Sequence, residues 1–173
     1  MLKIRIFRAV SFPFYLFYNL LYGLVFKIWP LGSLVFAIEG KPRKYRGPSI
    51  VSGDCSLLKN GDLVLCLHLR RKVLMKILAD SRPRERIIRE LKLTLVRLKI
   101  LARESKQNFS AFVGETTIVF PEAERFGFMV TPKNSAVDDF LASLQQIYFE
   151  KKAKRFSRKK VLIYSLDRSS LLG

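Results

Sequence analysis

The chain has 173 residues, enough for one domain and an appendage but too few for two full-sized domains. Lys+Arg 32 against Asp+Glu 14 gives a net charge of +18, which selects polyanions as partners: nucleic acid, anionic lipid or an acidic polymer. Two cysteines, Cys55 and Cys66, and one histidine, His68, are too few for a Cys/His zinc site or a disulfide-stapled secreted scaffold, so no metal or cofactor is expected.

Residues 9–26 contain no charge and are flanked by Lys3, Arg5 and Arg8 before and Lys27 after. The run is just long enough to be weighed as a spanning helix. Pro13, Asn19 and Gly23 weaken that reading. On a helical wheel Tyr15, Tyr18, Asn19 and Tyr22 share one side, and Phe14, Phe17, Leu20, Leu21 and Leu24 the other. Tyrosine favours the lipid–water boundary, so the pattern fits a helix lying in the interface. A core helix against a sheet has the same gradient. The next run, Ile28–Ile38, holds Trp29, Pro30 and Gly32 and is too short to span as a helix. It fits an interfacial hairpin, or a turn followed by a buried strand at Leu34–Ile38. A signal peptide fits the basic start, but no small-residue cleavage site follows. Phe14, Phe17, Tyr18, Tyr22 and Trp29 are the candidate membrane anchors, and residues 1–40 the membrane-associated segment.

Residues 41–48 (KPRKYRGP) read as a basic linker and a domain boundary. Beside a membrane, Lys41, Arg43, Lys44 and Arg46 would sit at the headgroups, each contributing about 1 kcal/mol against anionic lipid. The domain proper is expected over 49–173. Asn60-Gly61 is a tight-turn signal, and the Gly53-Asp54 and Gly61-Asp62 pairs read as turns. Leu63–Leu69 alternates within an apolar run, as a strand covered on both faces does. His68 shares a face with Val64 and Cys66, where a lone histidine is most simply a hydrogen-bonded core residue.

Arg82–Gln107 carries the strongest helix pattern. Ser81 is placed to cap it, and Pro83 stands where a first turn tolerates proline. Its expected core stripe is Ile88, Leu91, Leu95, Leu98 and Ala102. The opposite face carries Arg82, Arg89, Lys92, Lys99 and Arg103, interrupted by Leu93, Val96 and Ile100, a mixture suited to a headgroup surface or a protein partner. Phe109–Val113 reads as a strand, the part of 114–125 after Pro121 as a short helix, and Gly127–Thr131 as a strand. A helix begins near Ser135, with Asp138 and Asp139 in its first turn. It ends in EKKAKRFSRKK, whose Lys151, Lys152, Lys154, Arg155, Arg158, Lys159 and Lys160 exceed what a helix end needs. Val161–Leu166 is the last strand. The fold class is α+β: a small mixed or antiparallel sheet packed by two main helices and preceded by an apolar aromatic helix.

The sequence contains no nucleophile elbow, phosphate-binding loop, dinucleotide fingerprint or zinc-protease motif. A Cys66/His68 dyad is disfavoured, because residues two apart on a strand share a face with separated tips. If a polar site exists, Asp62, His68, Arg70 and Arg168 are its candidates.

The order GDLVLCLHL, a long helix, FVGETT, ERFGFMV, a second helix and VLIYSLDRSSLL is similar to the YkoP-like domain, over Arg46 to Leu172. Gly61, Asp62, His68, Leu69, Gly127, Phe128, Arg168, Leu171 and Leu172 stand where that family has its Gly-Asp pair, His-Leu pair, Gly-Phe strand and terminal Arg and leucines. Arg70 and Arg71 replace the Asp/Asn pair expected there, and Asp167 replaces the terminal serine. The resemblance implies a compact α+β domain in a bacterial cell-envelope setting, often beside or fused to polysaccharide deacetylases. It implies no activity.

Three functions follow as expectations. The first is a non-catalytic accessory protein on an anionic membrane surface, at the cytoplasmic face of the cell membrane, with an envelope-sugar enzyme as a further partner. The second is a nucleic-acid-binding, cytoplasmic protein, which the absence of aromatics between cations on a strand disfavours. The third is a small enzyme of envelope polysaccharide or lipid metabolism, which the residue inventory supports least.

Overall fold

A computed structural model describes residues 28–30, 35–52, 55–120, 122–139 and 157–172. The apolar helix expected over 9–26, with Phe14, Phe17, Tyr18 and Tyr22, lies outside them, as do Gly53-Asp54 and Lys151, Lys152, Lys154 and Arg155. In chain order the strands are β1 (Ile28–Pro30), β2 (Phe36–Glu39), β3 (Arg43–Lys44), β4 (Ile50–Ser52), β5 (Cys55–Leu58) and β6 (Leu63–Leu69), then β7 (Ala111–Ile118), β8 (Met129–Pro132) and β9 (Ser157–Asp167). Helices α1 (Arg71–Ala79) and α2 (Pro83–Glu104) lie between β6 and β7.

The apolar run of β6 is the centre of a seven-stranded mixed sheet ordered β1-β2-β6-β7-β9-β8, with β3 also on β6. Val64 to Leu67 are all buried, as an all-apolar strand requires. On one side β6 runs parallel to β7, a pairing that needs a long crossover, and α1 and α2 supply it. On its other side β2 and β3 lie end to end, β2 against Leu67–Leu69 and β3 against Leu63–Val64. Arg43 and Lys44 of the basic stretch 41–48 are therefore part of this sheet. Tyr45 within it is buried, and its N–H donates to the Asp62 carbonyl at 2.8 Å. Of the readings for Ile28–Ile38, the buried strand is observed as β2, paired antiparallel with β1, and residues 31–34 between them lie outside the described residues. Trp29 stands in β1 opposite Ile38.

Both faces of the sheet are covered. Leu65, Leu67, Phe112, Leu162, Tyr164 and Leu166 pack against α1 and α2 through Leu74, Leu78, Leu91 and Leu98. The alternate residues Val64, Cys66, Ala111, Val113 and Ile163 meet Tyr45, Ile50 and Leu58, so the β4–β5 hairpin closes part of the second face.

The helices depart from expectation in three respects. Helix α1 has no side-chain cap and no acid in its first turn, so nothing in RRKVLMKILA marks a helix start. Its register comes from Leu74, Ile77 and Leu78, buried against the sheet. Ser81 does not cap α2: its N–H and hydroxyl both donate to Asp80 Oδ1, and Arg82 holds the cap position. The buried stripe of α2 is rotated to Ile87, Glu90, Leu91, Thr94, Leu98 and Ala102, leaving Ile88 and Leu95 half-buried. The Thr94 hydroxyl is satisfied by donating to the Glu90 carbonyl at 2.7 Å.

Strand β7 runs to Ile118 and β9 begins at Ser157, so Arg158, Lys159 and Lys160 are strand residues. The antiparallel β7–β9 pairing runs from Ala111↔Asp167 to Thr116↔Leu162 and resumes at Ile118↔Ser157, with a register irregularity between them that takes in Arg158–Lys160. A third helix begins at residue 136, where the Ser135 hydroxyl accepts from Asp138 N–H, as its sequence predicts.

Candidate functional site

The β2–β6 register brings polar residues together on the second face of the sheet. Ala37 stands opposite His68, so Glu39 lies diagonally beside it. The Glu39 side chain is only 3% exposed, and its Oε1 lies 2.8 Å from His68 Nε2 and 3.8 Å from Arg43 Nη1. A buried carboxylate demands such partners, since an unpaired one would be costly. Arg43 Nε donates to Cys66 Sγ. Burial is the main cause that pushes the Cys66 thiol up to about 11, against the opposing pull of Arg43. At neutral pH Cys66 is therefore a thiol rather than a thiolate, and its polar partner is Arg43. These atoms form a charge-compensated cluster and hold no activated nucleophile.

Beyond it on the same face, Lys133 Nζ bridges Glu115 at 2.7 Å and Asp138 at 3.1 Å. Burial pulls the Lys133 ammonium down, but the hydrogen bonds and charges of the two carboxylates outweigh it and lift the group above its usual range. The Ser135 hydrogen bond, aided by Lys133, holds Asp138 below the usual carboxylate range against its own partial burial.

The four polar-site candidates do not converge. Asp62 closes the turn at Gly61 (φ 99°), where its Oδ2 accepts from Lys59 N–H at 2.7 Å. Arg70 is exposed at the start of α1, its N–H bound to the Val35 carbonyl. Arg168 secures the C-terminus of α2: Nε and Nη2 donate to Ala102 O at 3.1 and 2.8 Å, Nη2 to Ser105 O at 3.0 Å, and Nη1 to Gln107 O at 2.9 Å. Its guanidinium stacks 4.3 Å above the Phe109 ring. Only His68 enters a cluster, and its partner Glu39 is not among the sequence candidates. The signal for Glu39 was a lone acid closing an apolar strand, a position that buries a charge.

The cationic candidates divide by element. Lys41, Lys44 and Arg46 are exposed along and beside β3, whereas Arg43 turns partly inward to Glu39 and Cys66. On α2 the outward face is exposed as the sequence predicts. Leu93, Val96 and Ile100 are 42%, 57% and 39% exposed, a continuous aliphatic stripe at i, i+3 and i+7. Arg89, Lys92, Arg97, Lys99 and Arg103 flank it, all exposed. The one acid within that stretch, Glu90, is buried on the opposite side. The outward face of α2 from Arg86 to Arg103 thus presents aliphatic and cationic groups and no anion.

Among the described residues no group of three His, Cys, Asp or Glu side chains could hold a metal ion. Among them, too, no helix is long and apolar enough to cross a membrane. Nothing among curated proteins or solved structures matches the chain. The family model described as the YkoP domain matches residues 8–161. That match begins well before Arg46, in keeping with the place of β2 and β3 in the sheet, and it ends at Val161, the first residue of the VLIYSLDRSSLL motif. It covers most of the chain, which therefore belongs to the YkoP domain family.

Proposed function

We propose that this protein is a non-catalytic accessory protein that rests on an anionic membrane surface, with the outward face of α2 as its contact. The observation that carries the reading is the composition of that face between Arg86 and Arg103: an aliphatic stripe flanked by five cations, with the exposed acids Glu85 and Glu104 only at the two ends of the helix. Each cation near a headgroup layer contributes about 1 kcal/mol, so the five supply the larger share of the attraction. The aliphatic stripe adds a smaller apolar contribution by entering the interface. A second copy is a poor occupant, since two such faces repel. The placement is the cytoplasmic leaflet of a bacterial cell membrane, where anionic lipid and the net charge of +18 agree. The apolar sequence of residues 9–26, and the envelope setting the family resemblance implies, support the same placement.

The test is co-sedimentation of the full chain with phosphatidylglycerol-rich and with phosphatidylcholine vesicles across a salt series. Binding should be confined to the anionic vesicles and fall with salt. The triple variant Lys92→Gln, Lys99→Gln, Arg103→Gln should bind on the order of 100-fold more weakly. Equal binding by the triple variant, or equal binding to neutral vesicles, would overturn the reading. Tight binding to a polynucleotide with none to vesicles would do so in favour of the nucleic-acid alternative.

A further inference from the structure

The basic stretch 41–48 sends its side chains two ways. Lys41, Lys44 and Arg46 are exposed, whereas Tyr45 among them is buried. Alternation along an extended segment explains the split, because successive side chains point to opposite faces. Arg43 stands opposite Val64, on the face closed by the β4–β5 hairpin, and Tyr45 joins Ile50 and Leu58 in the core there. Lys44 stands opposite Leu63, which has the parity of Leu65 and Leu67 and so belongs to the face covered by α2. Leu63 is 38% exposed beside it. An aliphatic group next to a cation is also the composition of the outward face of α2.

This stretch is a fixed strap rather than a loose linker. Tyr45 N–H donates to Asp62 O at 2.8 Å, Gly61 N–H donates to Tyr45 O at 3.0 Å, and the Tyr45 hydroxyl donates to Pro48 O at 2.9 Å. Gly47 leaves room for the ring, since a Cβ there would overlap the Tyr45 hydroxyl. Cations on an ordered backbone bind at a smaller entropic cost than cations on a free tail. The strap is also tied to α2. Gln107, just past the end of the helix, donates its Nε2 to Gly40 O at 3.1 Å, and its own carbonyl accepts from Arg168 Nη1 at 2.9 Å. Lys41 therefore lies by the loop that carries the exposed Lys106, next to the end of α2 that carries Arg103.

We infer that Lys41, Lys44 and Arg46, with Leu63, form a second part of the membrane contact, so that the protein docks on anionic phospholipid headgroups tilted toward the C-terminal end of α2. The inference rests on the membrane reading of α2 and adds an orientation to it. Charge favours it. Among the described residues, none of Lys41, Lys44, Arg46 and Lys106 is in an ion pair. The acids at this end are the exposed Glu104, Asp62, whose carboxylate accepts from Lys59 N–H, and Asp167, whose carboxylate accepts from Ser169 and Ser170. With Lys59, five exposed cations stand against those three acids.

The test uses the full chain and two measurements. In co-sedimentation with phosphatidylglycerol vesicles, the strap variant Lys41→Gln, Lys44→Gln, Arg46→Gln should bind on the order of 100-fold more weakly than wild type, most clearly at low salt. All three side chains are exposed, so its urea midpoint should stay at the wild-type value. In a Cys55→Ser background, an environment-sensitive fluorophore on Leu63→Cys should shift to the blue with phosphatidylglycerol vesicles and not with phosphatidylcholine vesicles. The same fluorophore on Val51→Cys, exposed on the β4–β5 hairpin over the opposite face of the sheet, should not shift. Wild-type affinity in the strap variant, with binding lost in the α2 triple variant, would overturn the inference and leave the membrane reading standing. Equal shifts at positions 63 and 51 would overturn the orientation. A wild-type chain that binds no vesicle would overturn both readings together.

Discussion

Replacing Arg168 tests whether one side chain holds the end of the longest described helix. Its four hydrogen bonds reach three carbonyls, of Ala102, Ser105 and Gln107, at or just past the end of α2, where helix carbonyls lack partners in the helix. A hydrogen bond to a charged group contributes about 1.5–3 kcal/mol, but these four share one guanidinium. Water also resolvates part of the site once the side chain is gone, so the sum lies well below four independent bonds. Stacking on Phe109 adds about 0.5–1 kcal/mol, and the helix dipole a similar amount. Arg168→Ala should therefore cost about 2–4 kcal/mol, read as a lower urea midpoint at unchanged slope. For a domain of this size that is a fall in Tm on the order of 5–15 °C. Arg168→Lys keeps the charge and loses the planar fork, and should forfeit at least half of that stability. A loss below about 1 kcal/mol in Arg168→Ala, or a lysine variant as stable as wild type, would refute the fork as the cause.

Four further outcomes follow from the buried polar groups. Ser165 is fully buried and, among the described residues, its hydroxyl has no hydrogen-bond partner, so Ser165→Ala should raise stability by about 1 kcal/mol in urea unfolding, and a loss would show an unseen partner. The Cys66 pKa is raised on folding from 9.0 to about 11, so the unfolded chain releases its proton first. Stability is therefore full below pH 9 and declines as pH rises toward 11, by about 2–3 kcal/mol. In a Cys55→Ser background, iodoacetamide should label Cys66 at pH 8 only as fast as the protein opens. The Glu39–His68 contact should give a coupling of about 0.5–3 kcal/mol in a Glu39→Gln/His68→Gln double-mutant cycle, and additive effects would deny the pairing.

The sequence determined what is encoded locally. The all-apolar alternation of LVLCLHL made β6 a two-faced strand, because period-2 burial leaves no polar side to face water. Asn60-Gly61 gave its turn, because a positive φ at Gly61 needs no more than the residue itself. Ser135 marked a helix start, and Leu93, Val96 and Ile100 among cations marked the outward face of α2. What the sequence left open depends on which strand lies beside which. The fate of 41–48 was decided by β3 docking on β6 ahead of β2's half of the same edge. Arg158–Lys160 became strand because β7 pairs with β9 on either side of them, at Ser157 and from Leu162 onward. Arg168 became a clasp rather than a site residue because the chain end returns beneath α2. Glu39 met His68 across 29 residues through the β2–β6 register alone. Local propensity acts through neighbours in the chain, whereas ion pairs, cavities and long pairings act through neighbours in space. Only the fold supplies those, so the Glu39 cluster emerged with the structure.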